Sequence, residues 1–298
     1  MSRNPDGTFS SLVAPLNEAC IPPSNLTVAQ FILDSTHPLR PTRDLGSPWF
    51  IEDETGRGVG YEEVRTRTWG LANAIKRRWP NIAEDDVVCI FSPNSVDYPI
   101  AIWASHRLSL TVSCANPSYT EDELVSQLQA TKSKLLFIHP ANLDIATKAA
   151  KKAGLRGDQV VSLMGVNHVP PSSEILTIDQ LVNEGIVSPK SFEEKRLAAG
   201  ENLTKVAFYS FSSGTTGKPK AVAISHHAII ANVIQNAAFV RLNDPTLSPD
   251  KARYRKGDVN LGVLPMFREC SNILFLSPHY TNHMSDIFGL VYVVCPLG

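Results

Sequence analysis

The stretch Ser210-Phe-Ser-Ser-Gly-Thr-Thr-Gly-Lys-Pro-Lys-Ala221 gathers five hydroxyl side chains, two glycines and two lysines between two β-rich runs. Val206-Ala-Phe-Tyr-Ser210 leads in and Ala221-Val-Ala-Ile224 leads out, and both read as short strands. Glycine and small hydroxyl residues let backbone N–H and side-chain O–H groups converge on an anion without obstruction, and lysine adds compact positive charge. A phosphate-bearing ligand is what such a loop suits. The Walker A loop, in which glycine, four residues and G-K-[ST] lead directly into a helix, does not fit. Only two residues separate Gly214 from Gly217, and Lys218 is followed by Pro219, which has no N–H to offer. The next helix comes only after the second strand, with Ser225 as its N-cap and Ile229, Ile230, Val233, Ile234 and Ala237 as its apolar stripe.

Working outward, 298 residues with 43% hydrophobic and 19% charged side chains can bury a substantial core. The net charge of -1 and the lack of a long basic run argue against nucleic acid as a partner, and no apolar stretch approaches a bilayer span. The N-terminal MSRNPDGTFSSLVAPL lacks the apolar core of a secretory signal. We therefore expect a cytoplasmic protein, or a peroxisomal one if a full-length form carries a C-terminal signal. Cys20, Cys89, Cys114, Cys270 and Cys295 never form C-x-x-C and read as buried or incidental thiols in a reducing compartment. The pair His226-His227 reads as a helix start, since adjacent helical residues point in different directions and cannot share a metal.

Strand and helix signals alternate. Residues 1–25 are rich in Pro, Ser and Asn and read as a loose arm; Leu26 to Leu33 reads as a short helix and Trp49 to Glu52 as a strand. Val64, Leu71, Ala72, Ile75 and Trp79 recur at helical spacing from Tyr61 until Pro80 stops the helix, and Lys76, Arg77 and Arg78 read as its solvated end. Strands are predicted at Asp86–Phe91, Leu110–Cys114, Leu135–Ile138 and Val160–Met164, and helices at Ser95–Arg107, Glu121–Ala130 and Ala141–Ala153. Such alternation implies βαβ units and a parallel sheet.

The string SSGTTGKPKA resembles the signature loop of the adenylate-forming superfamily, whose members include acyl-CoA synthetases and 4-coumarate-CoA ligases. The stretch SPNSVDYPIAIWASHRLSLTVSCANPSYTEDELVSQL resembles the family segment in which a strand ends at P-N-S and an N-P-x-Y-T turn leads into the next helix. Asn116, Pro117, Tyr119 and Thr120 match that turn, and we read them as structural, with Thr120 as a cap. LTVAQFIL near residue 26 extends the resemblance to nearly the whole chain up to Phe267, closest to the 4-coumarate-CoA ligase-like, acyl-activating branch. Ala221 departs from the family's usual glycine.

The resemblance implies an α/β fold, the large N-terminal domain of an adenylate-forming enzyme, with parallel-containing sheets flanked by helices and incomplete at the C-terminus. Residues 26–298 would form part of that domain, without the C-terminal lid. It implies ATP-dependent activation of a small-molecule carboxylic acid to an acyl-adenylate and then an acyl-CoA thioester, in lipid or secondary metabolism. Ser212, Ser213, Gly214, Thr215, Thr216 and Lys220 would hold the ATP phosphates, with Lys218 a solvated charge. Mg2+ and coenzyme A are implied as well, although the family's glutamate turn, ribose aspartate and adenylation lysine find no match here, so no catalytic residue is assigned.

One break stands out. After Gly262-Val-Leu-Pro-Met-Phe267 the family continues with histidine, an aromatic or aliphatic residue and glycine; here RECSNILFLSPHYTNHMSD intervenes before Ile287-Phe-Gly-Leu-Val-Tyr-Val-Val294. Ile273-Leu-Phe-Leu276 is apolar where an exposed loop should be. Arg268-Glu269-Cys270 can be encoded as CGT GAG TGC, with the donor string GTGAGT, and Met284-Ser285-Asp286 as ATG TCA GAT, ending at CAG. Removing the text between them restores CAT, histidine. The alternative to an active ligase is therefore a catalytically inactive remnant with a retained intron at 268–286 and at most weak nucleotide binding.

Overall fold

Val87-Val-Cys-Ile-Phe91 is apolar at every position and buried at every position, as a strand covered on both faces must be. It belongs to a computed structural model that describes residues 20–39, 48–164, 175–212 and 220–239. Shorter pieces are described at 2–3, 5–6, 9–10, 46, 241, 246–248, 251, 259–262, 265–267 and 291–294. Near the amino end, β1 (Ser2–Arg3) pairs with β2 (Phe9–Ser10), β3 is Phe50–Glu52 and β4 is Gly58–Val59. The alternating run follows: α1 (Tyr61–Arg78), β5 (Val87–Phe91), α2 (Tyr98–Arg107), β6 (Thr111–Ala115), α3 (Glu121–Thr131), β7 (Leu135–Ile138), α4 (Leu143–Ala153) and β8 (Val160–Ser162). Then come β9 (Leu176–Thr177), α5 (Ile178–Val187), β10 (Val206–Ser212), β11 (Lys220–Ser225), α6 (His226–Phe239), β12 (Val259–Gly262) and β13 (Val291–Val294).

The main sheet has seven strands in the order β11-β10-β6-β5-β7-β8-β9, parallel throughout except where β11 pairs antiparallel with β10. Because side chains alternate along a strand, the sheet sorts its residues into two cores. Val88, Ile90, Val112, Leu135 and Phe137 face one way, against apolar residues of α1, α2, α5 and α6. Cys89, Phe91, Ala115, Leu136 and Ile138 face the other way, against Leu124 and Leu128 of α3 and Ala146, Ala149 and Ala150 of α4. This is the α/β architecture the sequence predicts, a parallel sheet with helices on both faces. A second, antiparallel sheet runs β12-β13-β3-β4, with Gly262 opposite Val291 and Tyr292 opposite Ile51.

Several predicted elements are found within a few residues of their expected ends. The helix expected from Leu26 begins two residues later, at Val28, and continues as a π-helical turn over Gln30–Asp34. Thr120 caps α3 as expected: its hydroxyl accepts from the Glu123 N–H, while the Glu123 carboxylate accepts from the Thr120 N–H at 2.8 Å and is held below the usual carboxylate range by those bonds. The basic end of α1 differs from expectation. Lys76 donates to the carbonyls of Pro80 at 3.0 Å and Ile82 at 2.7 Å, satisfying groups beyond the helix end, and Arg78 pairs with Glu184 of α5. Only Arg77 and the rim of Arg78 remain as the solvated charge predicted.

The sequence reading assigns nothing between Met164 and Asn202, yet α5 lies there, opened by a capping box between Thr177 and Gln180. It packs against α1 at backbone distance. A methyl built on Gly185 would stand 1.8 Å from the carbonyl oxygen of Gly70, which is a contact only glycine allows. The buried Asn73 amide seals the crossing, donating to Gly185 O at 2.8 Å and accepting from Ser191 N at 2.7 Å.

Among the described residues no helix is long and apolar enough to cross a membrane, and no group of three or more His, Cys, Asp or Glu could hold a metal. Cys89 and Cys114 are buried and Cys20 is partly so, and no disulfide joins them; Cys270 and Cys295 lie outside the described residues. The 268–286 text also lies outside them. Gly185→Ala is expected to lower unfolding stability by about 1–3 kcal/mol or more, because neither helix can yield without losing its face. Gly157→Ala, where no atom lies within 4 Å of the added methyl, should stay within about 0.5 kcal/mol in the same urea titration.

Candidate functional site

β10 and β11 form a hairpin whose last pair is Ser212 opposite Lys220, so the chain leaves and re-enters at two points about 5 Å apart. Residues 213–219 between them are outside the described set, and with them Ser213, Gly214, Thr215, Thr216 and Lys218. Ser212 closes the hairpin through its backbone, and Lys220 opens β11 with an exposed side chain. β10 runs parallel to β6, with Phe208 opposite Val112 and Tyr209 opposite Ser113. The loop therefore departs at the carboxyl edge of the parallel strands, the edge where open α/β sheets bind ligands. Between Val206 and Ser225 there is no acidic residue, so the hairpin suits an anion and does not itself offer a carboxylate to a metal.

The root of this hairpin is held by groups that carry no sequence signature. His106, buried in α2, donates from Nε2 to the Ala207 carbonyl at 3.2 Å, which leaves Nδ1 without a proton and without a partner. Its ring meets Phe208 edge-on at 5.1 Å and His226 at 4.7 Å. His226 Nδ1 in turn accepts from the Val28 N–H at 3.0 Å, tying the start of α6 to the amino-terminal segment. Both imidazoles are neutral. Burial pushes His106 down to about 4 and His226 down to about 2, with nearby His106 and Lys205 adding to the depression of His226. The expected N-cap is also present, since Ser225 Oγ accepts from Ala228 N at 3.2 Å, and the stripe from Ile229 to Ala237 is buried.

Behind the hairpin root, Cys114, Phe208, Tyr209, Ser210, Ile224, Ile229 and Phe267 line a cavity of about 10 Å³, room for a single water. A wider cleft of about 350 Å³ is bordered by Asp34, Glu62, Arg65 and Arg107. It opens at the opposite edge of the sheet, because Arg107 ends α2 just before β6 begins, and Arg107 is already paired with Asp34 and Glu194. The carboxyl edge with its hairpin is therefore the candidate site. The sequence singled out the loop itself but gave no hint of His106, whose role depends on a helix meeting a strand one hundred residues away.

A family profile described as AMP-binding enzyme matches residues 42–282. An acyl-CoA ligase of Alternaria alternata is 28% identical over 249 residues, covering 82% of this chain and 41% of its own length. A 4-coumarate–CoA ligase of Humulus lupulus is 29% identical over 220 residues, covering 74% of this chain and 36% of its own. The chain thus spans less than half the length of these curated relatives. Among solved structures, a long-chain-fatty-acid-CoA ligase from Archaeoglobus fulgidus superposes with a TM-score of 0.61 at 21% identity, over 85% of this chain and 45% of that one.

The two buried imidazoles make stability depend on pH. Each is held neutral in the folded protein and takes a proton in the unfolded chain below the ordinary value of 6.5, so their contribution is intact above that pH and fades as pH falls toward the folded values. The urea midpoint is expected to drop between pH 6.5 and about pH 5, by up to about 1.4 kcal/mol per pH unit for each imidazole. His226→Asn, which keeps an acceptor for Val28 N–H, should flatten that slope by about half.

Proposed function

Because the chain belongs to the AMP-binding enzyme family, we propose that its β10–β11 hairpin holds the phosphates of ATP during activation of a carboxylic acid. The acid would become an acyl-adenylate and then an acyl-CoA thioester, in lipid or secondary metabolism. In this reaction a carboxylate oxygen attacks the α-phosphorus, pyrophosphate leaves, and the coenzyme A thiol then displaces AMP. The protein's part in the first step is orientation and charge stabilisation. Ser212, Ser213, Gly214, Thr215 and Thr216 would donate N–H and O–H groups to the outer phosphates, and Lys220 would supply the charge-assisted bond. Mg2+, when bound with ATP, would supply positive charge against the leaving pyrophosphate; no group of residues among those described is assigned to hold it. Within this proposal residues 26–298 act as part of the large domain.

The observation that carries the reading is the hairpin's position: an acid-free, lysine-bearing loop delivered to the carboxyl edge of a doubly wound sheet by a strand fixed from behind by neutral histidines. Support comes from relatives named acyl-CoA ligase and 4-coumarate–CoA ligase. Titration calorimetry with MgATP tests it. Lys220→Ala should weaken binding about 10- to 100-fold, as loss of a charge-assisted bond does, while Lys218→Ala should stay within about twofold. Equal affinity in the Lys220 variant and the parent would remove the assignment.

A second reading is favoured by the 268–286 text, which interrupts the run where the family places a histidine. On that reading this chain is an inactive product of the same gene. Sequencing the transcript across the codons for Pro265 to Val294 decides between them: an excised segment that restores histidine after Phe267 supports the ligase, and a retained one supports the inactive product.

A further inference from the structure

Asn94 follows β5 at the carboxyl edge, in the P-N-S sequence that ends the central strand. Its neighbours in the sheet, β6 and β7, are reached by connections on opposite faces, so the crevice beside it is the switch point of the sheet. The side chain is buried, at 6% exposure, and both halves of its amide are engaged by backbone groups distant in the chain. Nδ2 donates to the Gly262 carbonyl at 2.8 Å, and Oδ1 accepts from the Met266 N–H at 2.7 Å. A carboxamide used this way stands in for a peptide unit: it pairs the end of β12 and the turn after it as a neighbouring strand would.

The next residue carries the effect back to the phosphate hairpin. Met266 is buried in the core shared with α2 and α6, and Phe267 packs on that core beside Tyr209 and Ser210 of β10. Beyond Phe267 lies the position where the family resemblance places a histidine of the acid pocket. We infer that Asn94 is a positioning residue for the proposed acid-activating site: it ties Gly262, at the end of β12, to Met266 and, through Phe267, sets both against the root of the proposed ATP hairpin. The inference rests on the reading given under Proposed function.

The chemistry of the contact selects the variants. Asn94→Leu keeps the branched outline and removes both bonds, stranding a buried N–H and a part-buried carbonyl. Asn94→Asp keeps an acceptor for Met266 N–H but turns a second acceptor toward the Gly262 carbonyl, so it should show an intermediate effect. Hydrogen exchange of the full chain, read by mass spectrometry, follows peptides over Pro265–Phe267, Tyr209–Ser212 and, as a reference, β7 and β8. In Asn94→Leu, exchange is expected to rise about tenfold in the first two regions and to stay within about twofold in the reference strands, with MgATP affinity falling about fivefold. A rise confined to Pro265–Phe267, with β10 and MgATP affinity unchanged, would overturn the inference by reducing Asn94 to a local tie. A uniform rise across the sheet would overturn it by making Asn94 a general stability residue. If Asn94→Leu does not fold, the aspartate variant carries the same comparison. Failure of the parent chain to bind MgATP would remove the ATP reading, whereas the exchange pattern would still decide what Asn94 positions.

Discussion

A strand that is to present a ligand loop must be fixed in two directions at once, and β10, which leads into the loop proposed to hold phosphates, is fixed in both. It pairs in parallel with β6 on one side and antiparallel with β11 on the other. The first pairing fixes which edge of the sheet the loop reaches; the second brings the chain straight back, so the loop is a closed hairpin end with both its limbs hydrogen-bonded. Buried side chains complete the anchorage from behind. His106 takes the carbonyl of Ala207, and Thr111 donates to Val206 O at 3.2 Å. The glycine- and threonine-rich loop thereby gains a defined origin, because the two strand ends it joins are held by paired backbone and buried side chains.

The same economy of contacts governs the helical layer. α1 and α5 meet at Gly70 and Gly185, close enough that side chains other than hydrogen are excluded, and the buried Asn73 satisfies the backbone groups that such an approach leaves near the end of α5. Arg67 bridges Asp97 at the start of α2 and Asp179 at the start of α5, so the three helices share one ionic joint. Burial pushes Asp97 up to about 6 against the opposing pull of Arg67. Each partner gives up hydration to form this joint, so its net gain in stability is smaller than the close charges alone would suggest.

Asn94 and Asn73 illustrate a common device at different places. Each is an asparagine amide buried where two backbone segments must be joined without a continuous ladder, and each uses both its donor and its acceptor. A leucine could do neither half of that work, and an aspartate only the accepting half. The switch-point asparagine is the more consequential, because the turn it holds lies between the second sheet and the core that carries the hairpin.

Much of the fold was legible because its signals are local. The apolar runs at Val87–Phe91 and Leu135–Ile138, the helical spacing from Val64 to Trp79 and the Thr120 cap each follow from residue type and period within one element. The loop string was legible too, since a glycine-, hydroxyl- and lysine-rich run between two strands has a composition of its own. α5 escaped notice although it has a capping box, because its defining contact is Gly185 against Gly70, and a glycine in a helix reads locally as a weakness. The histidines behind β10 and the Asn94 clamp were invisible for a deeper reason. Their partners lie about a hundred residues or more away in the chain, at Ala207, Val28, Gly262 and Met266. By itself, then, the sequence determined the alternating elements and the loop composition on which the phosphate proposal rests. Tertiary structure alone decided which edge the loop occupies and what holds its root, because burial and long-range hydrogen bonds exist only after the chain has closed on itself.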